Sequence, residues 1–76
     1  MNQSEKENSF TIGTIKCYFP LKGFGFITRE KGKDVFFFFQ NVADESHIIE
    51  GAKVQFKLNK NETGKGPFAT EIERIG

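Results

Sequence analysis

Gly23-Phe24-Gly25-Phe26-Ile27-Thr28 and Asp34-Val35-Phe36-Phe37-Phe38-Phe39 are the two stretches that decide the fold of this chain. Each is a short run of aromatic and β-branched residues, and Lys31-Gly32-Lys33-Asp34 between them has the composition of a turn. A connection that short predicts two antiparallel strands. Successive side chains on a strand point to opposite faces. With Ile27 turned to a core, Gly25 shares its face and Phe24 and Phe26 point outward. With Val35 and Phe37 turned inward, Phe36 and Phe38 point outward, and Phe39 at the strand end can go either way. The outward rings of the two strands then lie side by side on one sheet face. Gly23 and Gly25 are expected to keep that face flat, so that a ligand can approach closely.

Outward from this pair, the rest of the chain reads as further strands separated by turns. Thr11–Phe19 is the first strand, stopped by Pro20, which has no N–H for a ladder. Residues 40–52 form a longer connection anchored by Ile48 and Ile49. Ala52–Asn59 alternates Val54, Phe56 and Leu58 with Gln55, Lys57 and Asn59, the pattern of a half-buried strand. Lys60–Pro67 is a polar, glycine-containing loop, and Phe68–Ile75 is the last strand, with Ile72 inward. Phe37 and Phe56 are assigned to the core. No segment keeps a helical period. Five short strands predict an all-β, five-stranded antiparallel barrel over residues 10–76, whose closure removes exposed edges. Residues 1–9 are polar and aperiodic and read as a disordered tail.

At 76 residues the chain is long enough for one domain, with a core small enough to leave stability marginal. A single cysteine, Cys17, excludes an internal disulfide framework and leaves too few soft ligands for a structural zinc site. No metal or cofactor is expected. A lone thiol fits a reducing compartment, and the first nine residues contain no apolar run of the signal-peptide kind. The protein is therefore read as soluble and cytoplasmic. Net charge is only +1, but it is unevenly spread. Residues 10–40 carry Lys16, Lys22, Arg29, Lys31 and Lys33 against Glu30 and Asp34, a local net of +3 that residues 1–9 and 41–76 each reduce by one. The basic excess lies in the half that holds most of the aromatics, and phosphate contact needs cations locally rather than globally.

Ten phenylalanines in so short a chain need an explanation. A phenylalanine is most often a core residue. Alternation, however, forbids burying both faces of an uncovered sheet, and a cluster of exposed rings is unfavourable in water unless something covers it. Nucleobases are flat partners for such rings, each contributing about 1–3 kcal/mol with little regard to identity. Lys16, Lys22 and Lys33 are placed to hold phosphates beside them. The same face also suits a protein interface, for self-association or a partner, and near-neutral charge keeps that alternative open. A monomer is expected, with a dimer as the alternative.

Lys22-Gly23-Phe24-Gly25-Phe26-Ile27 resembles the first ribonucleoprotein motif of the cold-shock domain family. Val35-Phe36-Phe37-Phe38-Phe39 resembles the second, usually Val-Phe-Val-His-Phe. Gly13-Thr14-Ile15-Lys16 before them and Gly64-Lys65-Gly66-Pro67 after them are similar to further family landmarks, and the likeness is co-linear over residues 11–75. The resemblance implies an OB-type barrel and sequence-tolerant binding of single-stranded RNA or DNA, with a preference for pyrimidine runs. It also implies work as an RNA chaperone or as a regulator of transcription or translation. Carried over position by position, it implies a binding surface of Lys16, Tyr18, Lys22, Phe24, Phe26, Asp34, Phe36, Phe38 and Phe39, flanked by Lys65 and Phe68.

The chain departs from that pattern in several places. The family usually has Trp-Phe-Asn after the lysine of the first strand; Cys17-Tyr18-Phe19 stands here, so the stacking indole is missing. The histidine of the second motif is Phe38. The connection after the third strand is about two residues short and lacks the usual exposed aromatic. Phe19 and Phe68 are additional rings that can compensate. A surface more apolar and less base-discriminating than is usual for the family is the expected result.

Other candidates point to no chemistry. His47, the sole histidine, reads as a surface loop residue without catalytic partners. Lys16 and Cys17 adjoin in sequence, but simple alternation puts them on opposite faces, so an activated thiolate is not expected. Glu71 and Glu73 flank Ile72 and read as a solvated strand face rather than an acid/base pair. Lys31-Gly32-Lys33 is too short for a phosphate-binding loop of the nucleotide-hydrolase kind. The reading is of a binding module and not of an enzyme.

Overall fold

The computed structural model describes residues 10–60 and 66–76; the tail reading of residues 1–9 and the flanking role of Lys65 fall outside them. The strands are β1 (Thr11–Phe19), β2 (Phe24–Arg29), β3 (Val35–Phe38), β4 (Lys53–Asn59) and β5 (Phe68–Arg74). Two short 3₁₀ turns, Phe39–Asn41 and Glu45–His47, occupy the connection from β3 to β4. The strands close into a barrel in the order β1-β2-β3-β5-β4.

Four of the five neighbouring pairs are antiparallel, and β3 with β5 is parallel. The expectation of a wholly antiparallel barrel is corrected at this seam, and the reason is parity. Strands that alternate up and down around a closed ring must be even in number. With five, one adjacent pair has to run the same way. The parallel seam is short. It holds the register pair Phe36–Phe68, the Phe36 N–H donating to the Pro67 carbonyl at 3.3 Å. A parallel bridge between Val42 and Ile72 extends it.

The barrel is filled by Ile15, Ile27, Val35, Phe37, Val54, Phe56, Ala69 and Ile72, with Tyr18, Val42 and Ile48 packed against them. Phe37 and Phe56 are the largest of these and are essentially inaccessible, each stabilising the fold by about 1.5–3 kcal/mol through burial. Two expected anchors are not in the core. Ile49 is 50% exposed, since Ile48 alone of the pair turns inward. Leu58 is 40% exposed. It is the penultimate residue of β4, paired with the buried Ala69, where the strand runs out of the barrel.

Gly25 does not flatten the outer face, as the sequence led one to expect. It is buried, paired with Phe37 across β2 and β3, and a Cβ built on it would lie 2.8 Å from the Phe37 ring and collide with the Cys17 carbonyl. The missing side chain makes room for Phe37 inside the barrel. At Gly23, where φ is +77°, the neighbouring space is taken by the edge of Phe39.

Among the described residues Glu71 alone, other than glycine, has positive φ, at 52°. It lies where β5 slips against β4, just before Ile72, which is fixed in the core. The left-handed conformation costs an ordinary L-residue about 1–2 kcal/mol. Its exposed ion pair with Lys57, at 3.5 Å, offsets little of that.

Two stability changes follow. Gly25→Ala is expected to destabilise the barrel by about 1–3 kcal/mol, because backbone and ring must both shift, measured by urea denaturation. Glu71→Asn is expected to stabilise it by about 0.5–1 kcal/mol in the same assay, since asparagine tolerates the left-handed region.

Candidate nucleic-acid interface

The face is set by a break in the alternation of β1. Ile15 pairs with Ile27, but the next partners are Cys17 with Phe26, Tyr18 with Gly25 and Phe19 with Phe24. Lys16 is the extra residue of a β-bulge. Paired residues share a sheet face. Before the bulge Ile15 faces inward; after it the parity is reversed. Cys17 and Phe19 lie on the outer face with Phe26 and Phe24, and Tyr18 turns inward. The expectation that Lys16 and Cys17 point to opposite faces is therefore corrected by the bulge, because an inserted residue restarts the period of two. Nothing in the residue types signals that insertion.

Tyr18 is in consequence a support beneath the face. Its ring stacks on Phe37, with centroids 6.1 Å apart and planes 16° from parallel. Its hydroxyl donates to Glu45 at 2.9 Å, tying β1 to the second 3₁₀ turn. That turn is capped by Asp44, which accepts from the Ser46 N–H at 3.0 Å and the Ser46 hydroxyl at 2.7 Å; these bonds hold its carboxyl below the usual range.

The rings form one connected platform. Phe24 lies opposite Phe38, and Phe26 opposite Phe36, across β2 and β3. Ring centroids are 5.4 Å apart for Phe19 and Phe24, 5.3 Å for Phe24 and Phe36, 5.8 Å for Phe26 and Phe36, and 4.8 Å for Phe36 and Phe38. The last two pairs meet edge to face, which the ring quadrupole favours. Phe68 pairs with Phe36 across the parallel seam. Phe24, Phe26, Phe36 and Phe68 are half-buried, while Phe19 and Phe38 are 44% and 48% exposed. Phe39 leaves the strand for the first 3₁₀ turn and is also exposed, its N–H bonded to the Gly23 carbonyl at 2.9 Å.

Charge lies at the margins. Lys16 donates to Asp34 at 2.8 Å, and that hydrogen bond raises the lysine above its usual pKa. Lys22, between β1 and β2, and Lys33, between β2 and β3, are exposed. The β2–β3 connection is braced by Arg29, whose Nε donates to the Lys33 carbonyl at 2.9 Å. Two grooves among the described residues, about 350 and 420 Å³, lie elsewhere, one beside Phe10 and Glu71 and the other beside Ile12 and Arg29. His47 is exposed, 3.9 Å from Asp44. Among the described residues no group of His, Cys, Asp or Glu is arranged to hold a metal ion, and no helix is long and apolar enough to cross a membrane. The arrangement offers flat apolar rings to solvent, with cations at the rim.

Comparison with known proteins points the same way. The 'Cold-shock' DNA-binding domain family matches residues 11–75. The chain is similar to the retron Se72 cold shock-like protein of Salmonella heidelberg, 41% identical over 66 residues that cover 83% of this chain and 96% of that protein. It is also similar to the major cold shock protein of Streptococcus pyogenes, 37% identical over 65 residues covering 83% and 94% respectively. Among solved structures, the Drosophila Unr CSD456 structure superposes with a TM-score of 0.75 at 26% identity, covering 99% of this chain and 30% of that one.

The Tyr18 contact predicts an alkaline transition. Half-burial first, and the hydrogen bond to the Glu45 carboxylate second, raise its phenol above the ordinary 10.0. The folded state thus favours the protonated phenol. The stabilisation is complete below the unfolded value and is lost as pH rises through the folded one. Tyrosinate absorbance, unambiguous with one tyrosine, is expected to appear at higher pH in the native than in the urea-unfolded protein. Tyr18→Phe is expected to flatten the alkaline fall in melting temperature.

Proposed function

The chain belongs to the 'Cold-shock' DNA-binding domain family, and on that premise we propose that it binds single-stranded RNA or DNA by stacking bases on Phe24, Phe26, Phe36 and Phe38. The single observation that carries this reading is the continuous ring platform built from β1, β2 and β3, open to solvent and bordered by Lys22 and Lys33. Stacking needs ring faces and no particular base edge, so binding is sequence-tolerant. The protein acts as an RNA chaperone or as a regulator of transcription or translation in the cytoplasm, by holding strands unpaired. It is a binding module rather than an enzyme.

Affinity on such a surface comes from apolar contact more than from charge. Lys16 is engaged with Asp34, and the exposed Lys22 and Lys33 in the turns beside the rings serve as phosphate partners. A fluorescently labelled oligothymidine or oligouridine is expected to bind at moderate salt. The slope of log K against log salt is expected to be shallow, roughly −1 to −2, at about −0.7 per phosphate neutralised on a single strand. Failure to bind either oligonucleotide, with a mass that rises with protein concentration in analytical ultracentrifugation, would assign the face to self-association instead.

A further inference from the structure

We propose that the stacking ring of β1 in this chain is Phe19, so that the end of the face nearest the β1–β2 turn grips the principal base and does so without reading its edge. This rests on the nucleic-acid reading above and adds where along the platform the strand is held. The bulge at Lys16 puts both Cys17 and Phe19 on the outer face. Cys17, beside Phe26, has no ring. Phe19, one two-residue step nearer the turn, has one, 5.4 Å from Phe24 and tilted 60° to it.

Accessibility is distributed in the same direction. Phe26 and Phe36, at the far end, are half-buried against each other, whereas Phe19 and Phe38 flank Phe24 with 44% and 48% of their surface exposed. Stabilisation on contact scales with the apolar area that is removed from water, so a base covering the turn end gains more than one covering the far end. The chemistry also differs between the ends. Phe19, Phe24 and Phe38 carry no hydrogen-bonding group in their side chains. The carboxylate of the face, Asp34, sits beside Val35 at the far end and is already bonded to Lys16. Lys22 in the turn is exposed and donates without accepting, which suits a phosphate.

A platform without donors or acceptors discriminates bases weakly, because discrimination requires polar groups that a wrong partner leaves unsatisfied. Any preference for pyrimidine runs then reflects the ease with which weakly self-stacked strands lie down on the rings. Homopolymer preference and positional base preference are therefore expected to separate.

The test titrates the full chain and its variants with short labelled oligothymidine. Phe19→Ala is expected to weaken binding by about tenfold, the loss of one stacked base. Phe19→Leu, which keeps apolar bulk and packing on Phe24 without a ring face, is expected to lose several-fold while its melting curve stays close to that of the unmodified chain. Adding Cys17→Trp to Phe19→Ala is expected to restore binding by returning a ring to β1. Replacing single central thymines by adenine or guanine is expected to leave affinity unchanged. Full affinity in both Phe19 variants, while Phe36→Ala binds weakly, would overturn the placement of the grip. A marked loss on a single purine replacement would overturn the indifference to base edges. Absence of binding by the unmodified chain would overturn the nucleic-acid reading itself.

Discussion

Phe37 occupies the middle of the barrel because Gly25, its partner across β2 and β3, has no side chain. The two positions are one steric unit. The strand β1 passes so close that its Cys17 carbonyl also occupies the space a Cβ at Gly25 would need. The register that buries Phe37 necessarily turns Phe36 and Phe38 outward, opposite Phe26 and Phe24. A slip of one residue would exchange every side chain between core and solvent. Core and platform are thus two sides of the same pairing, and the four consecutive phenylalanines are divided between them by the pleat.

The platform rests on a second layer that is less visible. Tyr18 stacks under it on Phe37 and holds Glu45 through its hydroxyl, so the long β3–β4 connection is fastened to β1. Phe39 reaches back over Gly23, its N–H on the Gly23 carbonyl, and fastens the other end of that connection to the β1–β2 turn. The rings on the outer face therefore sit on strands braced from both sides. A rigid platform loses little freedom when a flat ligand settles on it, which favours binding by contact alone.

Electrostatics play a supporting part. Net charge is close to zero, and one of the lysines nearest the rings is neutralised by Asp34. Long-range attraction of a polyanion is correspondingly weak. What distinguishes this surface is its density of phenylalanine: Phe19, Phe24, Phe26, Phe36, Phe38 and Phe68 bring rings without hydrogen-bonding groups to one face.

The residues alone determine much of this. Turn composition, the alternation of Val54 and Phe56, and the motifs around Phe24 and Phe36 specify five strands, the core phenylalanines and the outward rings of β2 and β3, because a period of two is a local property of the chain. Three features were settled only by closure of the barrel. One is the parallel seam between β3 and β5, which an odd ring of strands demands and no local pattern encodes. Another is the steric demand on Gly25, whose missing Cβ leaves room for the Phe37 ring on the neighbouring strand and for the Cys17 carbonyl. The last is the bulge at Lys16, which hides Tyr18 and presents Phe19. Periodicity counts residues, whereas pairing aligns them, and where β1 holds one residue more than its partner needs, only the partner reveals which side chain faces the solvent.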